Sequence, residues 1–106
     1  MNPSAREMAM RERRSMRDQY GVAAFRSRQQ VLGFEQALRA RGVPVGVIST
    51  PRNISMGCGL SVRFPLGYSD EVRRAARAAN TSNLIGLYRA DYDGARLRVS
   101  PLGRKP

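Results

Sequence analysis

The segment from Ser49 to Gly59 reads STPRNISMGCG and holds the only cysteine of the chain, Cys58, between Gly57 and Gly59. Glycine permits positive φ and lets a second molecule come close to the backbone. Successive N–H groups in such a turn can form an anion-binding nest. Arg52 and Ser55 stand a few residues upstream, so a cation and a hydroxyl could reach the same anion. A thiolate, persulfide or selenide on Cys58 is an anion of this kind. A cationic, partly exposed setting raises the thiolate fraction of a thiol. The bland counterpart is a small buried hydrophobe, the commoner fate of a lone cysteine. The flanking glycines argue against it, because they raise the entropic cost of ordering the loop. Arg52 equally reads as a solvated cation, and Ser55 as the closure of a local turn. On the residues alone, the reactive and structural readings of Cys58 both stay open.

Composition narrows the alternatives. The chain has 106 residues, enough for one compact domain. It has no histidine and one cysteine, which excludes an intrachain disulfide, histidine-based acid/base catalysis and a Cys/His zinc cluster. No cofactor and no metal are therefore expected. Basic residues number 19 against 8 acidic ones, a formal charge of +11, and Lys105 is the single lysine. Such a charge points first to nucleic acid or another polyanion. It is spread widely, however: residues 1–19 carry +2, residues 20–92 carry +6 and residues 93–106 carry +3. No apolar run nears the roughly 20 residues of a membrane span. Nothing near the N-terminus has the apolar centre of an export signal, so a cytoplasmic location is expected.

The elements that must position the loop follow from periodicity. Residues 1–19 read as a basic N-terminal extension, helical or disordered. Tyr20 to Phe25 is a strand-like run. Ser27 with Gln30 opens a helix whose apolar stripe is Val31, Phe34 and Leu38, and Gly42 closes it at C′. Val43 to Ile48 forms a second strand, with Pro44 favouring a sheet edge. Leu60, Val62 and Phe64 alternate in a half-exposed third strand. Ser69 caps a second helix with Asp70 and Glu71 in its first turn and Val72, Ala75, Ala76 and Ala79 on its buried face. A polar break at Asn80 to Asn83 leads to a fourth strand, Leu84 to Tyr88. Asp93-Gly94 then reads as a type I′ turn into a short fifth strand in which Leu97 and Val99 alternate with Arg96 and Arg98. This is an α+β, ferredoxin-like βαββαβ order: an antiparallel sheet with two helices on one face, plus a C-terminal hairpin strand. The domain spans residues 20–100, and residues 101–106 form a flexible tail.

From Phe25 to Phe64 the chain resembles a small bacterial family of selenium/sulfur carrier protein-like domains. The resemblance lies in Phe25, Ser27, Glu35, Leu38, Gly42-Val43-Pro44 and the loop Pro51-Arg52-Asn53-Ile54-Ser55-Met56-Gly57-Cys58-Gly59. Two positions depart from the family pattern: Ser49, where proline is common, and Asn53, where a charged residue is common. Glu35 lies beside the helical stripe, where it either pairs with an arginine across the fold or stays in water. The resemblance implies that Cys58 accepts sulfur or selenium, holds it as a persulfide or selenenyl sulfide, and passes it on. Arg52, Ser55 and the backbone at Gly57 and Gly59 would stabilise the charged atom. Donor and acceptor would be proteins such as a cysteine desulfurase or a sulfur-relay protein. With no resolving cysteine, a carrier is more natural than a stand-alone enzyme.

Two other function classes compete. A basic ferredoxin-like domain invites an RNA-binding reading, in which sheet aromatics stack bases. The third strand offers Leu60 and Val62 where aromatics would be needed, and the first strand shows no clear platform. Arg73, Arg74 and Arg77 could form a basic patch with Arg96 and Arg98, although a solvated helix face is the commoner outcome. The third class is a non-catalytic regulatory module that dimerises through a sheet face or edge.

Overall fold

The computed structural model describes residues 19–55, 59–79 and 83–102. The expectations for residues 1–18, for Gly57 and Cys58, for most of the Asn80–Asn83 break and for residues 103–106 lie outside the described residues. The elements are β1 (Gln19–Phe25), α1 (Arg28–Ala40), β2 (Gly46–Ser49), β3 (Leu60–Phe64), a 3-10 turn (Leu66–Tyr68), α2 (Ser69–Ala78), β4 (Leu84–Asp93) and β5 (Arg96–Pro101). All five strands pair antiparallel in the order β2-β3-β1-β4-β5. The architecture is α+β, with β3 between β1 and β2. No described helix is long and apolar enough to cross a membrane.

Strand alternation divides the core in two. Ala23 and Phe25 of β1 join Val62 and Phe64 of β3, Val31, Phe34 and Leu38 of α1, and Val72 and Ala75 of α2. Both helices therefore cover one face of the sheet. Tyr20 and Val22, at the intervening positions, belong to a second cluster with Ala90, packed against Ile48, Ile54, Tyr88, Leu97 and Val99. Within the main core the rings of Phe25 and Phe34 sit 5.3 Å apart, tilted at 54°. Gly21 faces Phe64 across the β1–β3 pair, and a Cβ there would fall 2.2 Å from the Phe64 ring. The missing side chain is what leaves room for that ring against β1.

Helix α1 begins and ends as its sequence dictates. Ser27 accepts a hydrogen bond from the Gln30 N–H at 3.4 Å, and the Gln30 side chain accepts from the Asn83 N–H at 3.2 Å. At the other end Gly42 takes φ 81°, its N–H donating to Arg39 and that of Val43 to Leu38, both at 3.0 Å. This is the paired Schellman closure. It also explains why β2 starts later than expected. The Val43 N–H is spent on the helix cap and Pro44 has none to offer, so the ladder begins at Gly46. The edge position expected for β2 is observed, although Pro44 lies outside the strand. Glu35 pairs with Arg39 on the same helix at 3.3 Å rather than across the fold.

Four local expectations are corrected. Ser69 does not cap α2: Tyr68 holds the N-cap position, and the Ser69 hydroxyl donates to the Leu66 carbonyl at 2.6 Å. Ala79 is exposed just past the helix. Strand β4 continues to Asp93, because Tyr88 to Asp93 pairs with β5 on one side and, as far as Asp91, with β1 on the other. The hairpin turns on Gly94-Ala95 with positive φ, 64°, at Gly94 alone among the described residues of this turn. That is the type II′ pattern and not type I′.

Candidate functional site

The loop between β2 and β3 is anchored at its base by chemistry that its sequence supplies. The Thr50 N–H donates to the Gly59 carbonyl at 2.9 Å, continuing the β2–β3 pairing beyond Ser49 and Leu60. Thr50 Oγ1 and Ser61 Oγ share a buried hydrogen bond at 2.7 Å. Ser61 is fully buried, so β3 is less exposed than its alternation suggests. A Cβ at Gly59 would lie 3.2 Å from Thr50 Oγ1 and 3.7 Å from the Phe25 carbonyl oxygen. Gly59 thus serves close approach of chain to chain, and its φ is not positive.

From that base the loop folds across the sheet. The N–H groups of Ile54 and Ser55 both donate to the Pro51 carbonyl, at 2.9 and 3.1 Å, forming a single helical turn. The turn places Ile54 against the Tyr20, Val22 and Ala90 cluster on the helix-free face. Asn53 Nδ2 donates to the Leu97 carbonyl at 3.1 Å. The loop that leaves one edge strand is therefore tied to the strand at the opposite edge.

The candidate residues fall in this frame as follows. Arg52 is exposed, and no carboxylate among the described residues pairs with it. Ser55 is half-buried with its N–H committed to Pro51. Gly59 lies at the loop base against the end of β1. Gly57 and Cys58 lie outside the described residues, so the approach of Arg52 or Ser55 to Cys58 is not part of the described geometry.

Sequence reasoning missed several contributors. Extending the β1–β3 register puts Gly59 level with Arg26, and α1 starts two residues later at Arg28. The first turn of α1 contains no acidic residue. A helix N-terminus and two exposed arginines therefore stand where β1 gives way to α1, beside Gly59. Asn53 and Ile54 emerge as the loop's anchors. Their signal in the sequence was an apolar residue and a neutral amide inside an otherwise polar turn.

The features behind the RNA-binding reading are rearranged. Arg73 pairs with Asp70 at 3.1 Å, Arg74 with Glu71 at 2.6 Å, Arg41 with Glu71 at 2.9 Å and Arg98 with Asp93 at 3.0 Å. Arg74, and then Arg41, hold the Glu71 carboxyl below its usual range. Much of the anticipated basic patch is thereby tied up with carboxylates. Aromatics do stand on this sheet: Tyr20 on β1, with Tyr88 and Tyr92 on β4, occupies a position of the helix-free face. Tyr20 is only 7 % exposed, so its ring is part of the second core and not a free platform.

A model of the family described as "Putative Se/S carrier protein-like" matches residues 20–85. That range takes in β1 through the start of β4, with the whole Thr50–Gly59 loop. No curated protein and no solved structure matches the chain. With well over half of its length matched, the chain belongs to the Se/S carrier protein-like family.

Proposed function

We propose that the protein carries a sulfur or selenium atom on Cys58 and hands it to a partner protein. The observation that carries this reading is the family match across residues 20–85, which encloses the chain's only cysteine within a firmly based loop. The Cys58 thiolate attacks the terminal sulfur of a donor persulfide. A new S–S bond forms at Cys58 while the donor's S–S bond breaks, and the donor leaves as a thiolate. The acceptor's nucleophile then attacks the terminal atom and releases the Cys58 thiolate, so the cycle needs no external oxidant. Selenium would follow the same path as a selenenyl sulfide.

In this reading Arg52, the Ser55 hydroxyl and the backbone around Gly57 and Gly59 stabilise the charged atom, and the N-terminus of α1 with Arg26 and Arg28 adds positive potential. A cysteine desulfurase or a sulfur-relay protein is the donor, and the setting is cytoplasmic. Residues 20–100 form the carrier domain. The ferredoxin-like arrangement, extended at one edge by β5, is our reading of the strand order. The test is incubation of the protein with a persulfide donor followed by mass spectrometry. A sulfur adduct on Cys58, absent in Cys58→Ser, supports the proposal. An unmodified Cys58 that also alkylates slowly near neutral pH contradicts it.

A further inference from the structure

Arg63 stands on the helix-free face of β3, directly opposite Gly46 on β2 and Val22 on β1. Its Nε is buried and has no hydrogen-bond partner among the described residues. The six ion pairs among the described residues involve other arginines. Buried N–H groups are nearly always paired, and one left over marks an incomplete arrangement. A Cβ at Gly46 would meet Arg63 Nε at 3.4 Å and Cγ at 3.8 Å, which places the Arg63 side chain over β2 beside Gly46.

Two tyrosines accompany it. Burial, and then the neighbouring Tyr92 phenol, push the Tyr20 hydroxyl above its usual range, while the Arg63 charge pulls it down. The register agrees: Tyr20 lies one pleat from Val22, the partner of Arg63, and opposite Ala90, one pleat from Tyr92, so Tyr20 stands between the two at the end of the sheet where β1 begins and β4 finishes. Tyr92 is 49 % exposed, one of the few large apolar groups left open to solvent. Arginine and tyrosine are the residue types on which binding energy concentrates at interfaces.

The ligand's charge follows from Arg63, and its size from the surroundings. A nucleic-acid strand needs a track of cations and open stacking surfaces. Among the described strand residues on this face Arg63 is the only cation, and Tyr20 is covered. One carboxylate side chain needs a single guanidinium, which it can engage through two parallel hydrogen bonds. We propose that Arg63 and Tyr92, set on either side of the buried Tyr20, form a docking point for an acidic segment of a partner protein, its carboxylate on Arg63 and its chain against Tyr92. This surface does not depend on the chemistry of Cys58.

The test uses the full chain and a fluorescent 12-residue peptide of alternating Glu and Ala, read by anisotropy. Saturable binding is expected, weakened about tenfold or more in Arg63→Gln, as for a buried charge that loses its partner. Tyr92→Ala should weaken it about fivefold or more, as at other interface anchors. Arg77→Gln, an exposed cation on α2, should change it less than about twofold, the scale of rim charges. If Arg63→Gln proves unstable, Arg63→Lys keeps the charge but loses the fork, and a loss of about threefold or more is expected. Cys58→Ser should bind as the parent does, which separates failure here from failure of the carrier reading. The proposal is overturned by absence of saturable binding, or by equal losses in Arg63→Gln and Arg77→Gln. It is also overturned if a single-stranded RNA 12-mer, and not the peptide, binds through Arg63.

Discussion

Asn53 and Leu97 lie 44 residues apart, in the loop after β2 and in β5, the two opposite edges of the sheet, yet their side-chain amide and backbone carbonyl meet at 3.1 Å. With Ile54 beside Asn53, this contact brings the loop and the final hairpin together over the helix-free face. The arrangement accounts for the burial of Tyr20, Val22 and Ala90 on a face that has no helix. The neutral amide at position 53 suits the carbonyl it meets, which no carboxylate could do without a proton.

Asn53→Ala is expected to cost about 0.5–1.5 kcal/mol, the usual net value of one hydrogen bond. Because the same loop bears Cys58, alkylation of that thiol should accelerate in the variant. Thermal melting and the alkylation rate check both effects. A variant that matches the parent in both would show that the Asn53–Leu97 contact does not anchor the loop.

The parts of the fold written in local periodicity were legible from the sequence. Val31, Phe34 and Leu38 announce the buried stripe of α1, and Gly42 its end, because helix chemistry acts over a few residues. Leu60, Val62 and Phe64 likewise mark β3. The contacts that close the helix-free face were not legible, since Asn53 to Leu97 and Ile54 to Tyr20 span long stretches of chain without a local signature. The end of β4 was hidden by Arg89 and Asp91, which look like a loop until their 2.9 Å ion pair along the strand is seen. At the candidate site, the loop and its cysteine stood out by residue type. The role of Gly59 in close packing against Thr50 needed the fold.

Gly21 and Phe64 provide a packing test. Gly21→Ala should cost about 1–3 kcal/mol, the range for overpacking a filled core. The ring that would meet the new methyl group belongs to a fully buried residue with little room to move. Combining Gly21→Ala with Phe64→Leu should give a destabilisation smaller than the sum of the two single changes, measured by denaturant unfolding. Simple additivity would show that the two positions do not share the same space.

The Thr50–Ser61 hydroxyl pair secures the base of the loop. Thr50→Val leaves the buried Ser61 hydroxyl without its partner and should cost about 1–3 kcal/mol. Thr50→Val with Ser61→Ala removes both ends and should recover most of that loss. A double variant no more stable than Thr50→Val would contradict the pairing.

Tyr20 gives the fold an alkaline limit. Its hydroxyl is pushed above the ordinary value of 10.0, chiefly by burial, so the folded state holds this proton more tightly than the unfolded chain does. Its contribution is fully present below pH 10.0 and is lost as pH rises from there through the raised folded value. Stability measured against pH should fall in that window, and Tyr20→Phe should fall less steeply. Identical slopes would show that the Tyr20 proton is not linked to folding.

The most direct test concerns the terminal atom on Cys58. The full chain is incubated with a cysteine desulfurase and cysteine, trapped with an alkylating reagent, and its peptides are analysed by mass. The carrier mechanism predicts one additional sulfur on the Cys58 peptide, lost on reduction and absent in Cys58→Ser, together with rapid alkylation of the free thiol near neutral pH. A Cys58 that alkylates no faster than a buried thiol, and stays unmodified while a known persulfide acceptor in the same mixture is loaded, would contradict it.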